Sequence, residues 1–160
     1  GVRTYKLQIE KRSVTTGELE PSFGSGGIVI DDSFTAFAMH AIAKDGENIY
    51  IAGGGGGTQW YIRKRSLSSG ALDPNFGNAG VVSNPPELGI VGGVAIDGGF
   101  IYNTKHNSIV EKRYASNGSL DSGFASDGSA TTTVIVYPGP VSVHGDYLFI
   151  SPGWTEWTVE

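Results

Sequence analysis

The chain contains no cysteine, which excludes disulfide bonds and sites where thiolates hold a metal. It lacks any apolar run of the roughly 20 residues that cross a bilayer, so no membrane span is predicted. No stretch shows sustained 3.6-residue periodicity, and helices are therefore predicted to be absent or minor. Charged residues make up only 17% of the sequence, with a formal net charge of -5. This acidic balance argues against nucleic acid as a partner.

Glycine is abundant by contrast, at 25 of the 160 residues, and it is spread through β-branched and aromatic runs. That composition is typical of many short strands joined by tight turns. No signal peptide is visible. Because the chain begins with Gly1 rather than Met, we expect a processed chain or an excised piece of a longer protein.

Three segments of the sequence align with one another. In each, a Lys-Arg pair at the end of a strand-like run is followed by glycine, leucine, an acid and phenylalanine at fixed spacing. The recurring positions are Gly17, Leu19 and Phe23; Gly70, Leu72 and Phe76; and Gly118, Leu120 and Phe124. The phenylalanines are about 50 residues apart, a period that is typical of propeller blades.

A second pattern lies between these segments. It is a short alternating run, a turn at Gly46, Gly98 or Gly145, and another alternating run, as in a β-hairpin. Each repeat therefore holds about four short strands in one predicted all-β domain. The predicted limits within residues 1–160 are about 5–37, 38–90, 91–139 and a partial copy at 140–160.

The recurring loop residues are predicted to be structural. The glycine follows Thr, Ser or Asn at a turn tip, where a positive φ costs little without a side chain. The leucine and phenylalanine lie in otherwise polar loops, and we expect both to insert between adjacent sheets. The acid, which is Glu20, Asp73 or Asp121, is expected to cap its loop or to pair with the Lys-Arg strand. An RNA-contacting surface is the alternative for that basic row.

The run Gly-x-Leu-Asp-x-x-Phe-Gly-x-x-Gly at 70–80 resembles the delta-60 repeat. The run at 93–102, with the strand at 109–114, is similar to an NHL-type blade. The two resemblances cover nearly the whole chain. They imply a β-propeller of four-stranded antiparallel blades, and both repeats are scaffolds.

When the strands are assigned as in an NHL-type blade, the Asp-Gly hairpin joins the innermost strand, A, to strand B. The strand that carries the Lys-Arg pair is then strand C. The chain then begins with strands C and D, near 5–12 and 27–31. It holds two complete blades and ends with A, B and C strands near 140–160. Closed propellers have about four to eight blades. The blades of this chain therefore imply either two copies that complete each other or further blades from a longer chain.

Alternating strand direction places the A–B and C–D loops on one edge and the B–C and D–A loops on the other. Loops on the first edge are nearly invariant between repeats, whereas those on the second differ in length and chemistry. Ligand recognition would produce such variation, and so would drift without function. Large side chains that stack or hydrogen-bond are the candidates there. The predicted binding residues are Phe34, His106, Trp154 and Glu156.

No nucleophile elbow, zinc-protease motif or Walker ending occurs in the sequence, and we expect neither an enzyme nor a cofactor. We expect a non-catalytic binding or structural module, extracellular or at the cell surface, that recognises a protein or a glycan. Two alternatives stay open. One is a propeller hydrolase or lyase with a metal on the axis near His40 and His144. The other is a purely structural segment of a larger assembly.

Overall fold

A computed structural model describes residues 6–32, 39–55, 59–84, 90–132 and 138–151. Within these ranges the chain forms twelve β-strands and no helix. The prediction of an all-β chain is confirmed for this part of the protein. None of the described segments is a helix with the length and apolarity to cross a membrane.

The strands form four antiparallel sheets, numbered here in chain order. Sheet 1 contains β1 (Leu7–Glu10) and β2 (Ile28–Asp31). Sheet 2 contains β3 (Met39–Asp45), β4 (Asn48–Gly55), β5 (Gln59–Ser66) and β6 (Val81–Asn84). Sheet 3 contains β7 (Val91–Asp97), β8 (Phe100–Lys105), β9 (Ile109–Tyr114) and β10 (Ser129–Thr131). Sheet 4 contains β11 (Val141–His144) and β12 (Tyr147–Ile150).

The two four-stranded sheets are built on one plan. In each, spatial order follows chain order, so every strand pairs with its sequence neighbours. The register also repeats, because Tyr50 pairs with Lys64 in sheet 2 and Tyr102 pairs with Lys112 in sheet 3. The predicted number of about four short strands per repeat is therefore found in both sheets.

The central strands of sheet 2, β4 and β5, are buried on both faces, because the sheet lies between sheets 1 and 3. Ile49 and Ile51 of β4 pack with Leu7, Ile9 and Phe23 of the first repeat. The alternate residues of β4 point the other way, as the period of two in a strand requires. Those residues, Tyr50 and Ala52, belong to a second core that includes side chains of sheet 3.

The two cores differ in size and lie on opposite sides of sheet 2. The smaller core contains the side chains just named from sheets 1 and 2. The larger core joins sheets 2 and 3, and its members are Tyr50, Ala52, Trp60, Ile62, Phe76, Val91, Val94, Ile101 and Ala115. The sheets therefore stack face to face along the chain.

Sheet 4 contacts sheet 3 through the segment that precedes β11. The Thr104 hydroxyl donates a hydrogen bond to the Gly139 carbonyl oxygen at 2.5 Å. A side chain on Gly92 would overlap the Pro138 carbonyl, so glycine is needed for this close approach. In β12, the alternate residues Tyr147 and Phe149 are 71% and 58% exposed. One face of sheet 4 thus presents aromatic side chains to solvent.

Candidate functional site

Of the four predicted binding residues, the structure describes His106. Phe34, Trp154 and Glu156 lie outside the described residues. His106 is half-buried in the turn between β8 and β9, and its backbone N–H donates to the Ile90 carbonyl oxygen at 2.9 Å. Its Nδ1 atom is buried and has no hydrogen-bond partner within the described ranges. The variable edge is described at this turn, while the D–A loops fall on undescribed residues.

The opposite edge is described in full for three long loops, at residues 11–27, 64–80 and 112–128. In each long loop an arginine side chain closes the turn by donating to a glycine carbonyl oxygen five residues later. These bonds join Arg12 to Gly17 at 2.8 Å, Arg65 to Gly70 at 2.8 Å and Arg113 to Gly118 at 2.9 Å. The recurring arginines are therefore loop-closing residues.

The neighbouring lysines hold the acid of the same long loop. Lys64 pairs with Asp73 at 2.9 Å, and Lys112 pairs with Asp121 at 2.9 Å. The hydrogen bond from Lys64 holds the pKa of Asp73 below its ordinary value, and Lys112 does the same to Asp121. Ion pairing with the Lys-Arg strand is confirmed in these two loops. In the first loop, the Glu20 backbone N–H donates to the Lys11 carbonyl oxygen at 2.8 Å.

The phenylalanine of each of the first two long loops inserts under the next loop. Phe23 and Phe76 are almost completely buried. A side chain built on Gly70 would lie 3.0 Å from the Phe23 ring, and one on Gly118 would lie 3.0 Å from the Phe76 ring. Glycine at these two turn tips therefore leaves room for the aromatic ring of the preceding repeat.

Backbone hydrogen bonds hold the same loops together. The Gly24 N–H donates to the Ser69 carbonyl oxygen at 3.0 Å, and the Gly77 N–H donates to the Asn117 carbonyl oxygen at 2.9 Å. The Tyr50 hydroxyl also donates, to the Ala115 carbonyl oxygen at 3.1 Å. The first and second long loops are thus each fastened to the next one by an inserted ring and by backbone hydrogen bonds.

The leucines behave differently from the expectation that they insert between sheets. Leu19, Leu72 and Leu120 each form a bridge with the arginine of their own long loop. This pairing turns the leucine over the last glycine of that loop, where a side chain on Gly80 would lie 2.7 Å from the Leu72 Cβ. Leu120 stays 37% exposed. The expectation was wrong for the leucines, which close their own loops.

Phe124 has a different environment from Phe23 and Phe76. It is half-buried and lines a cavity of about 540 Å³ between sheets 3 and 4. Tyr102 and Lys112 line the same cavity, and residues 145–148 of sheet 4 form its other side. Within the described ranges, no long loop covers Phe124 in the way that the third loop covers Phe76.

The sequence interpretation did not identify a buried ion cluster between sheets 1 and 2. Asp31 at the end of β2 pairs with both Arg63 and Arg65 of β5, and all three side chains are buried. Burial lowers the pKa of Arg65, and Asp31 opposes this effect. One signal in the sequence pointed to this cluster. Arg63 occupies a repeat position at which the other two repeats have glutamate, Glu10 and Glu111.

A second buried cluster lies between sheets 2 and 3. Glu111 pairs with Lys105 at 2.6 Å and with Arg113 at 3.0 Å, and Asn103 donates to it at 3.3 Å. Burial raises the pKa of Glu111, but the two cations outweigh it and hold the pKa below its ordinary value. The Lys105 Nζ lies 4.9 Å from the centre of the Trp60 ring, which adds a cation–π contact.

The two histidines considered for an axial metal occupy opposite ends of equivalent strands. His40 is the second residue of β3, and its side chain is not described. His144 is the last residue of β11, next to the hairpin turn, and it is exposed. When the repeats are aligned, the two positions lie five residues apart along the strand direction, which is about 17 Å at the rise of a β-strand. No group of three metal-ligating His, Asp or Glu side chains occurs among the described residues.

Comparison of the chain with protein-family models finds no matching family. Comparison with curated proteins finds no match either. The function is therefore inferred from the chain's own residues.

Proposed function

We propose that the protein is a non-catalytic β-propeller-type module that holds a variable edge rigidly for binding a protein or a glycan. The observation that supports this proposal is the use of the recurring charged and aromatic residues. In the long loops these residues close turns and fasten one sheet to the next. They form a scaffold, and recognition is left to the opposite edge.

The stacking of the sheets supports the propeller architecture. The first strand of sheet 2, β3, contacts the first strand of sheet 3, β7, and β7 contacts β11 of sheet 4. Equivalent strands thus lie side by side, as the innermost strands do around a propeller axis. The resemblance to delta-60 and NHL-type repeats agrees with this arrangement. The sheets of the described chain do not themselves close a ring.

The variable edge is the proposed binding surface because its loops differ between repeats that are otherwise alike. His106 contributes a half-buried imidazole there. Phe34 and Trp154 are proposed to join it, since large aromatic side chains supply much of the energy at binding sites, and Glu156 is proposed as a polar contact beside them. The acidic balance and the repeat architecture support a location outside the cell or on its surface.

The test is a glycan array combined with pull-down from extracellular fluid. Alanine variants of Phe34, His106, Trp154 and Glu156 are expected to lose at least about tenfold in affinity for any captured partner. The matched control changes exposed residues of the opposite edge, Ser68 and Ser116, to alanine and is expected to bind normally. Equal loss in both sets, or no partner in either screen, would contradict the proposal.

The alternative of a structural segment in a larger assembly has its own supporting observation. The exposed aromatic side chains of sheet 4 and the cavity around Phe124 are surfaces that the inner sheets bury. A second sheet or loop packed there would remove this apolar area from water. This alternative therefore predicts association even without a ligand.

A further inference from the structure

We propose that residues 13–17 of a second copy of this chain fill the cavity around Phe124, so that two copies complete each other. The inference rests on the stacking geometry of the long loops. It does not depend on partner binding at the variable edge. Partner binding and self-association are measured in separate experiments, so a negative result for one proposal leaves the other intact.

The chain itself contains the proposed contact twice. The second long loop covers Phe23, and the third covers Phe76. In the second case, the covered surface is an edge-to-face pair of Tyr50 and Phe76, with ring centres 6.0 Å apart. The cavity wall holds the equivalent pair, Tyr102 and Phe124, with ring centres 6.4 Å apart. The cavity wall thus has the same aromatic arrangement as the surface that a long loop covers in the preceding repeat.

The lysine on this wall repeats as well. Lys64 lies 5.9 Å from the centre of the Tyr50 ring, and Lys112 lies 6.0 Å from the centre of the Tyr102 ring. Ala125 has φ of 49°, close to the 56° of Gly77, although it is not glycine. Ala125 therefore shares the left-handed conformation of Gly77, whose N–H donates to the third long loop.

The first long loop has the complementary features. Val14 stands at the repeat position of Leu67 and Ala115, which pack against the two cores. Val14 itself is fully exposed. Gly17 is exposed, and a side chain built there would meet nothing within 4 Å, whereas Gly70 and Gly118 are buried against a phenylalanine. Residues 13–17 therefore resemble the loop tips that cover a phenylalanine, but their own apolar side is exposed.

Three hydrogen bonds follow from the equivalence of the loops. The Ala125 N–H would donate to the Thr16 carbonyl oxygen of the second copy, as Gly77 does to Asn117. The Tyr102 hydroxyl would donate to the carbonyl oxygen of Val14, as Tyr50 does to Ala115. The Val14 N–H would donate to the Asp146 carbonyl oxygen.

That last bond also has a counterpart, because the Ala115 N–H donates to the Gly99 carbonyl oxygen at 2.9 Å. Asp146 and Gly99 occupy the same place in their hairpin turns, and Asp146 lines the cavity. The proposed interface between the two copies therefore continues the stacking interface that the chain already forms between its own sheets.

The strands of the two copies meet when the loop is seated. By the register of the inner sheets, β1 of the second copy lies beside β12, and Phe149 stands opposite Lys11. Phe149 then faces Ile42 of the second copy, which is 62% exposed. Two copies hold four complete sheets and two shared ones. The resulting six fall within the range of about four to eight blades in closed propellers.

The first test measures mass in solution by light scattering coupled to size exclusion. The expected mass is twice the 16.8 kDa of one chain. Val14→Asp places a charge on a residue that is exposed in the single chain, so folding is unaffected. In the pair the charge would be buried, and the dissociation constant is expected to rise about 100-fold.

Thr15→Asp is the matched control. It adds the same charge one residue away, at a position whose equivalents, Ser68 and Ser116, are exposed although their long loops are packed against the preceding repeat. It is expected to leave the mass doubled. A single-chain mass for the unaltered protein, or open polymers that lengthen with concentration, would overturn the proposal. Equal effects of the two variants would also overturn it.

A disulfide trap gives a second, independent readout, and the absence of native cysteine removes any background. Under mild oxidation, the double variant Val14→Cys with Asp146→Cys is expected to give a covalent dimer. Val14→Cys with Glu47→Cys uses the same turn position in sheet 2 and is expected to stay uncrosslinked. A disulfide within one chain, or none in the first variant, contradicts seating by a second copy.

Discussion

At the scale of single residues, Asp31 stands out because one buried carboxylate pairs with two buried arginines. Arg63 and Arg65 both point at it from the neighbouring sheet. Removing one partner of a buried ion pair is costly because the remaining buried charge loses an interaction that offsets its desolvation. Asp32, the next residue, makes the opposite case, since its pair with Lys6 at 2.9 Å is exposed on both sides.

This contrast predicts different stabilities for two substitutions of the same type. Asp31→Asn is expected to lower the free energy of unfolding by about 3–5 kcal/mol, because both buried guanidinium groups lose their ion pair with this carboxylate. Asp32→Asn is expected to lower it by less than about 1 kcal/mol. Urea denaturation followed by tryptophan fluorescence measures both. Similar losses would show that the buried cluster does not hold sheets 1 and 2 together.

The role of one of these two arginines is predictable from the sequence, and the role of the other is not. The Lys-Arg row was predicted to be structural, which is confirmed where lysines pair with aspartates. The role of Arg63 was missed because its partner, Asp31, is 32 positions away and on another sheet. A repeat alignment shows that Arg63 replaces glutamate, but only the fold shows which carboxylate compensates.

At the scale of elements, the long loops decide how the sheets stack. Each has the same backbone path, with φ of 76° at Gly17, 75° at Gly70 and 79° at Gly118. Their surroundings differ, because Gly70 and Gly118 lie against phenylalanine and Gly17 lies in open space. Substitutions at these glycines therefore distinguish two free-energy costs of adding a side chain: the strain of a positive φ, and the overlap with the packed phenylalanine.

Alanine substitutions are expected to show this separation. In the Val14→Asp background, which stays a single chain, Gly17→Ala is expected to cost about 1–2 kcal/mol for the left-handed conformation. Gly118→Ala adds an overlap with Val82 and close contact with the Phe76 ring, and about 2–4 kcal/mol is expected. Denaturant titration gives both values. Equal costs would mean that the loop tips are not packed against the preceding repeat.

At the scale of the whole molecule, buried charge ties stability to pH. Glu111 has its pKa held below the ordinary 4.5 by Arg113 and Lys105, although burial opposes them. A carboxyl with a depressed pKa in the fold stabilises it at pH values above 4.5. That contribution is lost as the pH falls through the folded pKa, because the fold then has to take up a proton.

We therefore expect stability to be steady above pH 4.5 and to fall below it. Glu111→Gln is expected to be less stable at neutral pH and to show a shallower acid slope, because it carries no titrating carboxyl. Thermal unfolding at a series of pH values measures the slope. An unchanged slope in the variant would show that Glu111 does not contribute to acid unfolding.

The sequence by itself determined the all-β chain, the short strands, the hairpin turns and the structural role of the recurring glycines and phenylalanines. These features depend on contacts that are local or that recur at a fixed period. The tertiary structure decided that leucines close their own loops, that Asp31 pairs with two arginines, and that Phe124 lines a cavity. Each of these depends on which side chain of a neighbouring sheet comes within contact distance, and sequence spacing does not carry that distance.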